Sequence, residues 1–207
     1  MPTILHPPAG FIEQFNAQAL LIYTGKTRLA RGLLQSVLRR WAAQLPEILD
    51  TTDGLLRNAN AARAAIEAGA DLGRVARSPP AVGSPPPAVA SLVPPPAGDW
   101  TALGAAVSTY WEQKKRMAGP GCEPAPVTTL LRCLAPFAVG CALAGAGGGG
   151  FLLVLARTPA DADAIREAMA AARSANDRAS DDCLAWTVHT ATVDMEGLRI
   201  GQLPSAW

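Results

Sequence analysis

The sequence has few aromatic residues, almost no net charge and no long apolar run. Phe, Trp and Tyr make up 5% of the 207 residues, and the formal net charge is only +1. A near-neutral chain lacks the basic surface that attracts nucleic acid or an acidic membrane, so we expect neither as a partner. The longest apolar runs fall far short of the roughly 20 residues that span a bilayer.

Cysteine pairs and catalytic histidines are also missing. The four cysteines, Cys122, Cys133, Cys141 and Cys183, form no CxxC motif. This spacing argues against zinc sites and thioredoxin-like redox sites, so we expect no bound metal, reduced thiols and a cytoplasmic protein. The two histidines, His6 and His189, are not accompanied by residues that would build a nucleophilic triad.

What the sequence does contain is enough apolar material for one domain. Hydrophobic residues make up 49% and charged residues 17%. Apolar periodicity predicts strands over 19–24, near 140–144, 151–156, 185–193 and 198–203. It predicts helices over 28–45, 47–72 (interrupted by Gly54 and Gly69), 100–117, 126–135 and 159–175. Strands alternating with helices, with a final hairpin, indicate an α+β layered fold.

A proline-rich segment divides the chain. Residues 78–98 hold repeated Pro-Pro pairs that no helix continues through, and we expect a disordered insertion there. Docking of this segment to an SH3-type domain is the alternative, although no basic residue lies within it to orient the ligand. The predicted organisation is therefore a lead-in over 1–18, two domain parts over 19–77 and 99–207, and the insertion between them.

The run from Gly145 to Gly150 is the most informative feature. It satisfies GxGxxG, but a strand follows it, whereas a dinucleotide-binding loop opens a helix. A simple hairpin needs one or two glycines, and each additional one costs up to about 1 kcal/mol of backbone entropy relative to alanine. Five glycines in six residues therefore predict that the backbone closely approaches a phosphate, a sugar or another domain.

Two further segments are candidates for binding. Gly25-Lys26-Thr27 imitates the end of a Walker A loop, but Leu20 stands where that loop needs its first glycine. A strand end followed by a helix start remains, where Thr27 and Arg28 could meet an anion or a polyol, or simply cap the helix. In the helix over 100–117, Lys114 and Lys115 form either a solvated basic face, with Glu112 as a pairing partner, or a contact to a phosphoryl group.

These segments together resemble the L-fucose kinase family of the GHMP kinase superfamily. The sequences from Leu21 to Ala30, Tyr110 to Lys115 and Leu143 to Phe151 stand in the order found in that family, and bacterial heptose phosphate kinases share a looser version. The connecting segment from Pro120 to Pro124 is also similar. The resemblance covers about residues 8–76 and 99–203.

The resemblance implies a ferredoxin-like C-terminal kinase domain with extra helices, and transfer of a phosphoryl group from ATP, with Mg²⁺, to the anomeric hydroxyl of L-fucose. It implies that Gly145, Ala146, Gly147, Gly148, Gly149 and Gly150 line the phosphate side of the cleft. Thr24, Thr27 and Arg28 would line the sugar side, and Lys114 or Lys115 would assist with phosphate charge.

The family's ATP-binding glycine-serine loop and its catalytic aspartate have no counterpart in this sequence. The resemblance assigns both to an N-terminal kinase domain. We therefore expect such a domain as a partner, no catalytic residue within these 207 residues, and no turnover by the chain alone. The alternative is a catalytically incompetent fragment that acts as an interaction or structural module.

Overall fold

The structure, a computed structural model, describes residues 4–25, 31–68, 98–119, 121–175 and 186–197. Almost all of the predicted insertion over 78–98 and the whole predicted strand over 198–203 lie outside these residues. No statement about either follows from the structure, so both stay predictions.

Four strands of the described chain form one antiparallel sheet. They are β1 (Ala19–Tyr23), β2 (Ala138–Leu143), β3 (Phe151–Ala156) and β4 (Thr187–Thr190). Their order across the sheet is β2-β3-β1-β4, and each neighbouring pair is antiparallel. This order interleaves two βαβ halves, which is the ferredoxin-like arrangement. The predicted α+β class and ferredoxin-like core are therefore confirmed.

Six helices accompany the sheet in the described residues. They are α1 (Phe11–Gln18), α2 (Arg31–Ala42), α3 (Pro46–Glu67), α4 (Trp100–Ala118), α5 (Ala125–Leu134) and α6 (Pro159–Ala175). Local chemistry fixes two of the starts. Pro46 occupies the first turn of α3, where its missing N–H is not needed. The Asp99 carboxylate caps α4 by accepting a hydrogen bond from the N–H of Ala102 at 2.8 Å.

The structure differs from the predicted elements in three details. Helix α1, which the periodicity does not predict, lies within residues 1–18, where we expect a lead-in. Helix α3 runs through Gly54 without a break, because the missing side chain there leaves room for Gln113 of α4. The strand predicted over 185–193 is only four residues long as β4.

Both faces of the sheet contribute to the core. On one face Leu20, Ile22, Leu152 and Val154 belong to a buried cluster that includes apolar residues of α5 and α6. On the other face Ala19 and Leu155 pack with Phe11, Trp100 and Leu103. The Trp100 Nε1–H also donates to the carbonyl of Ala156 at 2.7 Å, so this indole has both its apolar body and its polar edge accommodated.

Helix α4 crosses β2 at unusually short range. A Cβ atom added at Gly140 would lie 2.2 Å from the carbonyl oxygen of Gly104 and 2.8 Å from its Cα. Both neighbours are backbone atoms, so neither moves without shifting the helix from the sheet. The pair of glycines is therefore a requirement of the packing.

We expect Gly140→Ala to lower the free energy of unfolding by about 1–3 kcal/mol, since it overpacks this crossing. Gly32→Ala is the matched control, because a Cβ at Gly32 in α2 meets no atom within 4 Å. That change should raise stability by up to about 1 kcal/mol through helix propensity. Urea denaturation followed by circular dichroism measures both, and equal stabilities of the two variants would contradict the packing.

Candidate functional site

The glycine run forms the loop between β2 and β3. The N–H of Ala144 donates to the carbonyl of Phe151 at 2.8 Å and closes the loop at its base. All five glycines have positive φ angles, at 72° for Gly145, 92° for Gly147, 79° for Gly148, 149° for Gly149 and 92° for Gly150. Four consecutive residues in this region form a path that other residues rarely adopt. Part of the glycine excess is thus explained by the shape of the loop itself.

The loop lies against the segment that follows α4. The N–H of Gly148 donates to the carbonyl of Cys122 at 2.7 Å. A Cβ at Gly147 would lie 2.6 Å from the Cys122 sulfur and 3.0 Å from its oxygen. Within the described chain the loop backbone closely approaches Cys122, and the predicted approach to a phosphate, a sugar or another domain stays a prediction. The N–H groups of Gly147 and Gly149 find no hydrogen-bond acceptor among the described residues.

Thr24 fastens the other side of the loop. Its side chain is buried, and both its N–H and its hydroxyl donate to the carbonyl of Gly150, at 2.8 and 2.9 Å. The structure thus brings Thr24 and the glycine loop together. The hydroxyl proton is committed to Gly150, and a sugar contact from Thr24 stays a prediction. Thr27 and Arg28 lie outside the described residues.

Lys114 supports the base of the loop. Its ammonium donates to the carbonyl of Leu143 at 2.8 Å and lies 5.4 Å from the ring centres of both Tyr110 and Trp111. Burial lowers the pKa of Lys114, while the nearby Cys122 sulfur acts in the opposite direction. The structure places this positive charge beneath the start of the glycine loop, and its predicted role toward phosphate stays a prediction.

Lys115 points to two carboxylates. Its Nζ lies 2.6 Å from Glu112 and 3.1 Å from Glu123. Burial alone would lower the pKa of Lys115, but these ion pairs outweigh burial and raise it. The expected pairing with Glu112 is present, so a Lys115 contact to phosphate would have to compete with two carboxylates. That contact also stays a prediction.

Residues 121–124, which follow α4 and contact the glycine loop, are called the supporting segment below. Glu123 connects this segment to two helices and has no role in the sequence-based prediction. It accepts hydrogen bonds from the Trp111 indole at 2.7 Å and from the Thr128 hydroxyl at 3.0 Å, in addition to its pair with Lys115. It directly follows Cys122, so it fixes the segment on which the glycine loop rests. A single glutamate between Cys122 and Pro124 gives no local signal of these contacts, which depend on how α4 and α5 meet.

A groove of about 950 Å³ opens beside this segment. Ser36 and Arg40 of α2 line one part of it, and Arg116 and Glu123 line another. The Arg40 guanidinium donates to the carbonyls of Arg116 and Met117 at 3.0 and 2.9 Å, which joins α2 to the end of α4. The groove offers space and polar groups for a small molecule next to the segment that supports the glycine loop.

Residues 88–175 match the protein-family model described as GHMP kinases C terminal. This range includes α4, the supporting segment, the glycine loop and α6. The matched residues are therefore similar to the C-terminal domain of GHMP kinases, whose members generally use ATP and Mg²⁺. No protein in a comparison with curated proteins matches the chain.

Two features are absent from the described residues. No helix among them is long and apolar enough to cross a membrane. No group of three or more His, Cys, Asp or Glu side chains in the same residues is placed to hold a metal ion.

The contacts of Glu123 lead to a prediction about pH. Burial would raise its pKa, but hydrogen bonds from Lys115, Trp111 and Thr128 outweigh burial and lower it below the ordinary 4.5. A group with a lowered folded pKa contributes stability above its unfolded pKa and loses it as the pH falls through the folded value. At pH 7 we expect Glu123→Gln to reduce the free energy of unfolding by on the order of 1 kcal/mol.

As the pH falls from 4.5 through the lower folded pKa, the difference between wild type and Glu123→Gln should shrink, because Glu123 becomes protonated and both proteins then carry an uncharged side chain. Glu112→Gln is the control, because it removes the other, 59% exposed partner of Lys115 and an exposed pair contributes little. Urea denaturation at a series of pH values measures the effect. A stability difference that stays constant from pH 7 to pH 3 would show that the charge of Glu123 is not involved.

Proposed function

We propose that the chain is the C-terminal part of an ATP-dependent sugar kinase of the GHMP superfamily. The reaction transfers the γ-phosphoryl group of ATP to the anomeric hydroxyl of L-fucose and gives fucose 1-phosphate, which would enter GDP-fucose salvage in the cytoplasm. The observation that carries this proposal is the position of the glycine loop within the residues that match the kinase family.

The geometry of the loop supports a role in phosphate binding. Gly147 and Gly149 carry N–H groups without acceptors in the described residues, and phosphate oxygens are acceptors that suit such groups. Gly149 has no Cβ to keep a ligand away from the backbone, whereas the Cβ position of Gly147 lies against Cys122. The ammonium of Lys114, 2.8 Å from the carbonyl of Leu143, adds positive charge under the loop without occupying it.

Phosphoryl transfer needs mainly positioning and stabilisation of charge. In this proposal the loop holds phosphate oxygens of ATP, Thr24 keeps the loop in place, and Mg²⁺ neutralises charge on the nucleotide. The general base and the main ATP loop would come from an N-terminal kinase domain, and we assign no residue of this chain to the metal.

A second function is a non-catalytic interaction or structural module. Some of the candidate ligand-binding groups already have partners within the protein, which favours this alternative. Thr24 bonds to Gly150, and Lys115 pairs with two glutamates. Under this alternative the glycines would serve only the shape of the loop.

A coupled ADP-release assay with L-fucose, ATP and Mg²⁺ separates the two functions. We expect no turnover by the purified chain, and fucose-dependent turnover when the N-terminal half of an L-fucose kinase is added in trans. Isothermal titration should show MgATP binding to the chain that a phosphate-free analogue, adenosine, does not reproduce. Clear ADP release by the chain alone would mean that the nucleotide site is elsewhere, and absence of both binding and turnover would favour the non-catalytic module.

A pair of glycine variants tests the loop directly. Gly147→Ala and Gly145→Ala both place a side chain at positive φ, but only the first brings a Cβ against Cys122, since Gly145 has open space within 4 Å. We expect Gly147→Ala to weaken MgATP binding about tenfold more than Gly145→Ala, because it displaces the loop by an overpacking of about 1–3 kcal/mol. Equal MgATP affinities of the two variants would remove Gly147 from the phosphate site.

A further inference from the structure

Among the residues that the structure describes, helices cover only one half of the second face of the sheet. At one end of this face Ala19 and Leu155 are paired across β1 and β3 and are buried under Phe11 and Trp100. Every second side chain of a strand lies on the same face, so Leu21 and Tyr23 of β1 share this face with Ala19. Beyond Leu21 on this face, Tyr23 is half-buried and Phe151 is exposed.

Three aromatic rings occupy this open half. Tyr23 of β1 pairs with Phe151 of β3, and their ring centres are 5.2 Å apart. His189 of β4 pairs with Leu21, and its ring lies 5.7 Å from that of Phe151 in an edge-to-face arrangement. Phe151 is 41% exposed and His189 is exposed as well. Tyr23, Phe151 and His189 are called the aromatic patch below.

Exposure of these rings is notable in a chain with few aromatics. Contiguous exposed apolar surface favours burial against a ligand or partner. A stable protein interface buries about 800 Å² on each side, whereas three partly covered rings of at most about 250 Å² each in total surface offer much less. The size of the patch therefore fits a small molecule better than a second copy of the chain.

The aromatic patch adjoins the glycine loop. Tyr23 immediately precedes Thr24, which holds the carbonyl of Gly150, and Phe151 immediately follows Gly150. A molecule on the patch therefore has one edge next to the loop that the proposed function assigns to phosphate. This is the relation that an acceptor must have to the phosphoryl group that it receives.

The chemistry of the patch matches a sugar ring. One face of a pyranose carries C–H bonds that pack on an aromatic ring, while its edge carries hydroxyl groups that need hydrogen-bond partners. At the rim of the patch, the Thr187 hydroxyl and the Nε2 of His189 are 2.8 Å apart and offer such partners. None of Tyr23, Phe151, Thr187 and His189 is a carboxylate or a permanent cation, which suits an uncharged ligand.

We propose that the aromatic patch binds the acceptor sugar, by stacking the apolar face of a neutral hexose on Phe151 and Tyr23. A 6-deoxyhexose is favoured, because its methyl group adds apolar surface where a hydroxymethyl group would bring an unpaired hydroxyl onto the rings. This inference rests on the proposed function of the glycine loop for its place in a reaction, but sugar binding itself is measured separately.

Saturation-transfer NMR and isothermal titration with L-fucose on the whole purified chain test the proposal. We expect transfer to the methyl group and to the ring protons of one face of the sugar. L-galactose, which differs from L-fucose by one hydroxyl group, should bind more weakly. Phe151→Ala should lower the affinity for L-fucose about tenfold.

Trp41→Ala is the matched control, since Trp41 is an aromatic residue of α2 that is 55% exposed and lies outside the patch. It should leave the affinity for L-fucose unchanged, and circular dichroism checks that both variants fold. Absence of L-fucose binding to wild type, equal affinities of wild type and Phe151→Ala, or equal affinities for the two sugars would overturn the proposal. So would sedimentation that shows a dimer which Phe151→Ala dissociates, because the patch would then be a contact between copies.

MgATP titrations of the same proteins keep the two proposals apart. Loss of L-fucose binding in Phe151→Ala with unchanged MgATP affinity is the expected result. If wild type binds L-fucose but not MgATP, the assignment of the glycine loop fails and the sugar site stands. If wild type binds MgATP but its sugar binding does not depend on Phe151, the sugar site fails and the loop assignment stands.

Discussion

Two contacts hold the glycine loop in a shape that few residues other than glycine adopt. Thr24 at the end of β1 binds the carbonyl of Gly150 with two donors, and Cys122 accepts from Gly148 on the opposite side. Each glycine at positive φ carries an entropy cost in folding, so the loop needs such fixed neighbours to keep one conformation. Cys122 is itself held because the next residue, Glu123, is bonded to α4 and α5. The placement of the candidate site thus depends on residues that do not face a ligand.

Strong local signals in the sequence predicted the fold well. The apolar runs that became β1 and β3 are buried in the centre of the sheet, where a continuous apolar strand is stable. Helix α1 escaped prediction because it has only eight residues and begins at Gly10, which has positive φ and provides no side-chain cap. The shortened β4 has a tertiary cause, since Val193 beyond it donates its N–H to Asn16 of α1 instead of continuing the strand.

The candidate site was predictable only in part. The excess of glycine predicted a close approach to a phosphate, a sugar or another domain, whereas the neighbour in the described chain is Cys122, which depends on contacts between segments far apart in sequence. For Lys114 and Lys115 the apolar periodicity indicated a helix with basic residues, while the direction of each ammonium follows from the carbonyl of Leu143 and the carboxylate of Glu123. The aromatic patch combines three strands, and its members meet only once the register of β1 with β3 and β4 is known.

The two sides of the candidate site differ in what they can tolerate. Around the loop, Gly147 has Cys122 within 3.0 Å of a potential Cβ and Thr24 is buried, so changes there alter the shape of the backbone as well as any contact to a ligand. The aromatic patch is exposed, and its rings rest on a sheet whose register is set by the buried opposite face. Substitutions at Phe151 or His189 can therefore change which molecule binds without disturbing β1 and β3. Substitutions in the aromatic patch would therefore change which acceptor sugar binds. The glycine loop beside it tolerates little change, so the position of the phosphate would stay the same.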